Sequence, residues 1–347
     1  MSETQLTKTD SSQDRIIEGR DLTITFDMDR GRSRVLDSVD ITVYREEILG
    51  IVGESGSGKS MLANALLDAV VEPGVLSGEL WYHPPGGGEP IDVLSLPSQD
   101  LKRFRWETVS MVFQGAMSSF NPTMKIGDHF RETLDAHKYD IGEGMDRAHR
   151  LISELYMNPD RVLESFPHEL SGGMKQRALI ALSLVLEPEV LVMDEPTAAL
   201  DLLMQRSILS LIEDLQERYD LTIMFITHDL PLVANLADRL SVMYAFELVE
   251  IGPTDEVVSG SAHPYTRALL QATPNLHVSV SEMRPIEGSS PDPVDVPSGC
   301  SYHPRCPLAD ERCEREDPPM HDIDTNHVAA CFYWEDIDTA IPLTINR

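Results

Sequence analysis

A glycine-rich segment, Gly53-Glu-Ser-Gly-Ser-Gly-Lys-Ser60, constrains the fold of this chain more than any other feature. It directly follows the strand-like run 47–52 and precedes an Ala- and Leu-rich stretch over 59–70. Between a strand and a helix, glycines let such a loop curl so that successive backbone N–H groups face phosphate oxygens. The order of strand, glycine loop and helix predicts an α/β fold with a phosphate-binding loop. We expect Gly53, Ser55, Gly56 and Gly58 of this loop to surround the phosphates.

Lys59 and Ser60 end this loop and begin the predicted helix. We expect the Lys59 ammonium to reach the β- and γ-phosphates of a nucleoside triphosphate, and the Ser60 hydroxyl to ligate Mg²⁺. The partial positive charge at the start of the helix favours the same anion. The strand and helix on either side argue against the simpler alternative, which is a glycine turn before a surface helix.

Two adjacent carboxylates, Asp194 and Glu195, follow the apolar run 190–193. At the end of a strand beside a phosphate loop, Asp194 is suited to hold Mg²⁺ through water, and Glu195 to orient or deprotonate an attacking water. Phosphoryl transfer needs mainly such positioning and charge neutralisation. By themselves the two carboxylates would indicate a solvated loop, but together with Lys59 and Ser60 they predict hydrolysis.

A second glycine motif, Leu170-Ser-Gly-Gly173, lies ahead of this acidic strand end. With the two motifs above and several single residues, it makes the chain resemble the ATP-binding cassette (ABC) ATPases over about residues 16–255. The further matching positions are Gln114 (Q-loop), Asp201 (D-loop), His228 (switch histidine) and Phe26 (the aromatic ring against adenine).

The resemblance implies ATP hydrolysis by two subunits that close on each other. It places Glu195, His228 and Gln114 in the catalytic set, with Gln114 also a Mg²⁺ ligand. It also implies that Ser171, Gly172 and Gly173 contact the γ-phosphate of the nucleotide on the partner subunit. A Ser hydroxyl and glycine N–H groups at a helix start suit that role, since they form an anion cradle.

The implied fold is a P-loop NTPase cassette with an antiparallel β segment and a helical subdomain over about residues 115–186. We expect a flexible tail over residues 1–15, one ABC ATPase domain over 16–255, and a small irregular extension over 256–347. The chain shows no internal repeat, which favours a single cassette. The extension includes the Pro-, Ser- and Asp-rich stretch Pro285–Pro297.

Two local stretches, Phe113–Pro122 and His263–Leu270, resemble the ATPases of oligopeptide and dipeptide importers. Where that group usually has Asp-Pro, this chain has Gly115-Ala116, which affects the expected contact with the membrane subunit. The resemblance implies a subunit that couples ATP hydrolysis to peptide uptake; importers of oligosaccharides and nickel are the alternative. Implied partners are two transmembrane permease subunits, a second ABC ATPase (a related chain or another copy of this one) and, indirectly, an extracytoplasmic solute-binding protein.

The net charge of −30, from 58 acidic and 28 basic residues, favours a protein of a salt-rich cytoplasm over an ordinary acidic protein. A rival hypothesis is a soluble cassette acting on DNA or ribosomes, but the chain shows neither the long coiled coils of DNA-repair members nor the two cassettes of translation factors. Its acidity also disfavours nucleic acid as a partner, though only weakly, since salt adaptation alone would produce it. Intact Glu195 and His228 argue against a non-catalytic regulatory module. No run of 18 apolar residues and no secretory signal occurs. We therefore expect peripheral attachment to the cytoplasmic face of the membrane through a partner.

All four cysteines, Cys300, Cys306, Cys313 and Cys331, fall in the last 48 residues. A reducing cytoplasm argues against disulfides, whereas four thiolates suit Zn²⁺ or a [4Fe–4S] cluster. The gaps of five, six and seventeen residues lack the two-residue spacing common in zinc ribbons.

The segment Gly299–Pro307 resembles the C-terminal extension of peptide-importer ATPases, some of which carry an iron–sulfur cluster. The resemblance implies a [4Fe–4S] cluster of structural role, with Zn²⁺ or four unligated buried thiols as alternatives. His303, His321 and His327 could replace a cysteine as ligands, but we expect them to be exposed loop residues.

Overall fold

The structure, a computed structural model, describes residues 14–113, 115, 119–198, 200–272 and 286–341. The predicted site residue Gln114 lies outside the described residues. The predicted tail over residues 1–15 also lies outside them, except for residues 14 and 15. The chain divides into two compact units, the first comprising residues up to 94 and from 228 onward, the second residues 95–227.

The strands follow the chain in this order: β1 (Arg15–Met28), β2 (Gly31–Tyr44), β3 (Ile48–Val52), β4 (Val75–Tyr82), β5 (Ile91–Asp92), β6 (Val109–Val112), β7 (Val190–Asp194), β8 (Thr222–Thr227), β9 (Arg239–Tyr244), β10 (Glu247–Pro253), β11 (His321–Asp324) and β12 (His327–Ala329). The α-helices are α1 (Lys59–Leu66), α2 (Ser98–Arg103), α3 (Ile126–Ala136), α4 (Ile141–Glu154), α5 (Pro159–Glu164), α6 (Gly172–Leu184), α7 (Leu202–Tyr219), α8 (Leu230–Ala234), α9 (Thr254–Gly260), α10 (Pro264–Ala272) and α11 (Ile337–Ala340).

An antiparallel sheet in the first unit has the strand order β2-β1-β4-β5. Strands β1 and β2 each run for 14 residues, longer than the short strands that the sequence predicts. Shifts in their register between Gly19 and Leu22, and between Leu22 and Ile24, mark irregularities at which a long strand can bend. The expectation of an antiparallel β segment is confirmed.

Strand β3, which leads into the phosphate loop, belongs to a second sheet of the first unit. It pairs in parallel with β9, and all five of its residues are buried. Antiparallel pairs then join β9 to β10, β10 to β12 and β12 to β11. The pairing of Ile251 with Val328 joins the extension to a strand of the predicted ATPase domain. The extension, expected to be irregular, therefore contains short regular strands.

In the second unit, β7 lies between β6 and β8 and is parallel to both. Its residues are all buried, as expected for a strand covered on both faces. Helices α3 to α6 lie between β6 and β7 in sequence, within the stretch predicted to be helical. Side chains of Asp140, Asn158 and Ser171 accept backbone N–H groups at the starts of α4, α5 and α6, which explains where these helices begin.

Across the described parts of the chain, no helix combines the length and the apolar character that crossing a membrane requires.

Candidate functional site

The loop Gly53–Ser60 joins β3 to α1, as the sequence predicts. Gly53 has a positive φ of 157°, and a Cβ there would overlap the Met243 carbonyl oxygen. Gly58 has a φ of 102°, and its Cβ would lie 2.9 Å from the Val35 carbonyl oxygen. Only glycine suits these two positions, because neighbouring backbone leaves no room for a side chain and the left-handed conformation disfavours one.

Lys59 is folded back over this loop. Its Nζ donates hydrogen bonds to the carbonyl oxygens of Gly53 and Glu54, each at 2.8 Å, and the residue is 5% exposed. The Ser57 N–H donates to the Glu54 carbonyl at 3.2 Å, which closes the curl of the loop. An ammonium group is thus held against a tight glycine loop at the start of a helix, and this arrangement favours a bound anion. Ser55 and Gly56 are exposed at the tip, and Ser60 is half-buried in the first turn of α1.

Asp194 and Glu195 lie at the carboxyl end of β7 in the second unit. Asp194 is 4% exposed, and the Glu195 N–H donates to the Ile226 carbonyl on β8 at 2.9 Å. Glu195 adopts a left-handed φ of 46°, which a non-glycine residue occupies at a cost of order 1–3 kcal/mol and which clusters at functional sites. The prediction that Asp194 and Glu195 lie at the end of a buried strand is confirmed.

The starts of α6 and α7 come together in the second unit. Ser171 caps α6 by accepting the Met174 N–H at 3.3 Å, and Asp201 caps α7 by accepting two backbone N–H groups at 3.0 Å each. A Cβ on Gly173 would overlap the end of the Met204 side chain, which comes from the first turn of α7. The structure therefore brings Ser171, Gly172 and Gly173 beside the helix that Asp201 begins.

Phe26 and His228 are the other predicted site residues that the structure describes. Phe26 is half-buried on β1, and its ring lies against Gly74, where a Cβ would be 2.6 Å from the ring Cζ. His228 is exposed directly after β8, and the next residue, Asp229, caps α8.

All four cysteines line one small apolar cavity in the first unit, together with Tyr302, Phe332 and other residues; we call it the cysteine cavity. None of the four forms a disulfide. Burial raises the pKa of Cys300 and Cys331 to about 11 and that of Cys306 to about 12. These groups are therefore neutral thiols near pH 7 unless a positive charge, such as that of a metal, draws the proton off.

Backbone groups face the sulfurs of the cysteine cavity. The Tyr333 N–H donates to Cys331 Sγ at 3.4 Å, and a backbone hydrogen bond from Leu308 reaches Cys306. The Cys300 N–H donates to the Cys313 carbonyl at 2.9 Å and ties two of the cysteine-bearing turns together. Within the described ranges, no three His, Cys, Asp or Glu side chains are arranged to hold a single metal ion.

The expectation that the nearby histidines are exposed loop residues is wrong. His327 lies on β12, is 2% exposed, and its Nε2 lies 2.8 Å from the Glu250 carboxylate. His321 lies on β11 and is half-buried, and His303, also half-buried, bonds the Cys300 carbonyl through Nδ1 at 3.0 Å. Pairing between β12 and β10 buries His327, and this pairing is not visible in the sequence.

Sequence reasoning missed Arg305 and Tyr265, which both contact Glu54 in the phosphate loop. Tyr265 lies in the stretch His263–Leu270, which resembles peptide-importer ATPases, and Arg305 lies in the segment Gly299–Pro307, which predicts the cluster. Arg305 lies between two cysteines that are predicted to be buried. A buried arginine or tyrosine needs a polar partner, so this position was a sequence signal for a buried ion pair.

Family models match the chain in two places. The model described as "ABC transporter" matches residues 36–198, and the one described as "Oligopeptide/dipeptide transporter, C-terminal region" matches residues 249–313.

Relatives match over most of the chain. The dipeptide transport ATP-binding protein DppD of Caldanaerobacter subterraneus is 37% identical over 92% of this chain and 98% of its own length. The oligopeptide transport ATP-binding protein OppD of Salmonella typhimurium is 38% identical over 91% of this chain and 93% of its own length. The oligopeptide transport ATP-binding protein OppD of Bacillus subtilis is 38% identical over 94% of this chain and 92% of its own length.

Solved structures share the fold. The dimeric structure of MJ0796, a bacterial ABC transporter cassette, covers 69% of this chain and 99% of its own at 24% identity, with a TM-score of 0.59. The structure of cbiO1 from Clostridium perfringens covers 71% of this chain and 91% of its own at 25% identity, with a TM-score of 0.57. The predicted fold, a P-loop NTPase cassette, is confirmed.

Proposed function

The chain belongs to the ABC transporter family as an ABC ATPase, and from this premise we propose that it is the ATP-hydrolysing subunit of an importer of dipeptides and oligopeptides. The observation that carries the proposal is the presence of two family regions in one chain. The cassette is followed by the C-terminal region of oligopeptide and dipeptide transporters, and relatives named for peptide transport match across both.

The proposed ligands are ATP and Mg²⁺, which fit an ABC ATPase. We assign the phosphates to the backbone of Gly53, Ser55, Gly56 and Gly58 and to Lys59, and the adenine to Phe26. The residues proposed to hold Mg²⁺ are Ser60, Gln114 and Asp194. When bound, Mg²⁺ supplies charge neutralisation at the transferring phosphate.

Glu195 is the proposed base that orients or deprotonates the attacking water. Its position directly after the buried strand β7, next to Asp194, supports the assignment. Gln114 and His228 complete the proposed catalytic set.

A second ABC ATPase is the proposed dimer partner, and Ser171, Gly172, Gly173 and Asp201 are proposed to contact the nucleotide that it binds. Next to Asp201, the side chains of Leu202 and Leu203 are 78% and 79% exposed. Adjacent apolar side chains at a helix start support a surface that a protein partner covers. A related chain is the proposed partner, and a second copy of this chain is the alternative.

The proposed membrane partners are two transmembrane permease subunits, which would hold this chain at the cytoplasmic face of the membrane. A solute-binding protein would deliver the peptide to them. The names of the relatives support this assembly, since each is a transport ATP-binding protein.

The four cysteines are proposed to hold a [4Fe–4S] cluster. All four line one apolar cavity, and backbone N–H groups point to their sulfurs, which is the donor set and surrounding that such clusters use. Cys300, Cys306, Cys313 and Cys331 would hold the cluster through their thiolates, and their proposed role is to fix the fold of the extension.

The charge of −30 supports adaptation to a salt-rich cytoplasm. Screening weakens repulsion between exposed charges, so we expect the unfolding temperature of the chain to rise as KCl is increased from about 0.2 M to about 2 M. A temperature that stays constant or falls would contradict the assignment.

Uptake by the source organism tests the transport function. A strain that lacks this chain should lose uptake of a labelled tripeptide, and a plasmid copy should restore it. A copy with Glu195→Gln should not restore uptake although the variant binds ATP. Retained peptide uptake with lost uptake of nickel or an oligosaccharide would overturn the peptide assignment while leaving the ATPase intact.

A further inference from the structure

Arg305 lies between Cys300 and Cys306, and its guanidinium contacts the phosphate loop. Nη1 donates to Glu54 Oε2 at 2.7 Å and Nη2 donates to Glu54 Oε1 at 3.0 Å. Two parallel N–H···O bonds of this kind fix geometry as well as charge. The Arg305 side chain is 7% exposed and that of Glu54 is 25% exposed, so the pair is largely shielded from water.

The guanidinium is itself held in place by its surroundings. Nε donates to the Glu287 carbonyl at 2.7 Å, and Nη1 lies 3.3 Å from the Tyr244 hydroxyl. The guanidinium carbon lies 5.6 Å and 5.9 Å from the ring centres of Tyr244 and Tyr302. Arg305 is therefore preorganised toward Glu54, and little side-chain freedom remains to be lost in the pairing.

A second contact from the C-terminal part reaches the same residue of the loop. The Tyr265 hydroxyl accepts the Glu54 N–H at 2.8 Å, and Ser290 Oγ donates to Glu54 Oε2 at 3.2 Å. Residues that follow the predicted cassette thus hold both the backbone and the side chain of Glu54.

Glu54 also takes part in the internal bonding of the loop. Its carbonyl oxygen accepts both the Lys59 ammonium and the Ser57 N–H. Its carboxylate, if unpaired, would repel a triphosphate bound in the same loop, because like charges in a partly shielded site interact strongly. The Arg305 guanidinium removes this repulsion by neutralising the carboxylate.

We propose that Arg305 is a positioning residue for ATP binding, which acts through Glu54 to hold the phosphate loop in shape and to cancel its negative charge. The inference rests on the proposed ATPase function and extends it, since it makes the cysteine-bearing segment part of the support of the nucleotide site. ATP affinity should then depend on a residue 251 positions away from the loop.

Steady-state ATP hydrolysis by this chain in complex with its partner ATPase, with Arg305→Gln, Glu54→Gln and the double variant, tests the proposal. Arg305→Gln should raise KM for ATP by about tenfold with a smaller change in kcat, because it leaves a shielded carboxylate unpaired beside the phosphates. Glu54→Gln in the Arg305→Gln background should lower KM again, since no unpaired carboxylate then remains.

Two further variants separate positioning from a general role in folding. Arg305→Lys keeps the charge and should restore part of the ATP affinity, while losing the two-pronged geometry. Arg315→Gln is the matched control, because Arg315 lies in the same segment, is 73% exposed and pairs only with the surface residue Glu311 among the described contacts. It should leave KM unchanged, and thermal unfolding of each variant should confirm a folded chain.

A KM that is unchanged in Arg305→Gln would overturn the proposal, and so would a double variant whose KM is no lower than that of Arg305→Gln. Either result leaves the proposed function standing as long as Glu195→Gln abolishes hydrolysis in the same assay. An unmodified complex with the partner ATPase that does not hydrolyse ATP would instead remove the proposed function itself.

Discussion

His327 on β12 and Glu250 on β10 are joined by a hydrogen bond of 2.8 Å in the interior of the first unit. Glu250 is fully buried, and its carboxylate also accepts the backbone N–H groups of Ala262 at 2.6 Å and His263 at 3.1 Å. One carboxylate thus connects a strand of the cassette, the turn before α10 and the extension. Burial of a charge without such partners would be unfavourable.

Glu250→Ala should lower the free energy of unfolding by about 3 kcal/mol or more, because it leaves buried donors without an acceptor. Chemical denaturation measures the change, with Glu311→Ala as control, since Glu311 is 84% exposed. A loss of less than about 1 kcal/mol, which is typical of a surface pair, would contradict this account of the site.

Gly53→Ala should abolish ATP binding, because its Cβ would overlap the Met243 carbonyl and force the phosphate loop out of shape. Gly86→Ala provides the control: its φ of 75° is also left-handed, but no atom lies within 4 Å of the new Cβ. This control should cost about 1 kcal/mol of stability and leave ATP binding unchanged. Binding of a fluorescent ATP analogue distinguishes the two variants, and equal affinities for both would show that the close approach to Met243 is not what requires glycine at residue 53.

Glu247 should make the stability of the protein depend on pH. Burial raises its pKa to about 7, and the repulsion of Asp37 and Asp317 adds to the shift. A carboxyl whose pKa is raised on folding stabilises the protein at low pH, and that contribution is lost as the pH rises from about 4.5 to about 7. The full loss is about 3 kcal/mol for a shift of this size.

Glu247→Gln should therefore be more stable than the parent at pH 8 and similar to it at pH 4.5, since the neutral amide resembles the protonated acid. Denaturant midpoints at the two pH values give the comparison. A difference between variant and parent that is the same at both pH values would show that Glu247 does not titrate in this range.

Purified anaerobically, the chain should absorb broadly near about 400 nm and contain about four irons, as a [4Fe–4S] cluster would. Cys306→Ser should remove most of the iron and lower the unfolding temperature, because a ligand is lost from the turn next to Arg305. Ser298→Ala is a suitable control, since its hydroxyl only donates to the Glu314 carbonyl at the surface. One zinc per chain, or no metal at all, would contradict the cluster.

Most of the nucleotide site could be predicted from the sequence, because its parts are short contiguous motifs with local geometry. A strand, a glycine loop and a helix start at Lys59 follow one another along the chain, and the acidic pair ends β7. Asp201 begins α7 by accepting N–H groups two and three residues ahead. Such bonds span a few residues, so the pattern of residue types alone indicates them.

The sequence by itself determined the cassette, its phosphate loop and the grouping of the four cysteines. Only the tertiary structure decided that β12 pairs with β10, that His327 is buried against Glu250, and that Arg305 reaches Glu54. Partners in these contacts are separated by about 75 to 250 residues, and pairing at such distances leaves no periodic signal in one sequence. It depends on which surfaces come together inside the first unit, and that is a property of packing and not of local propensity.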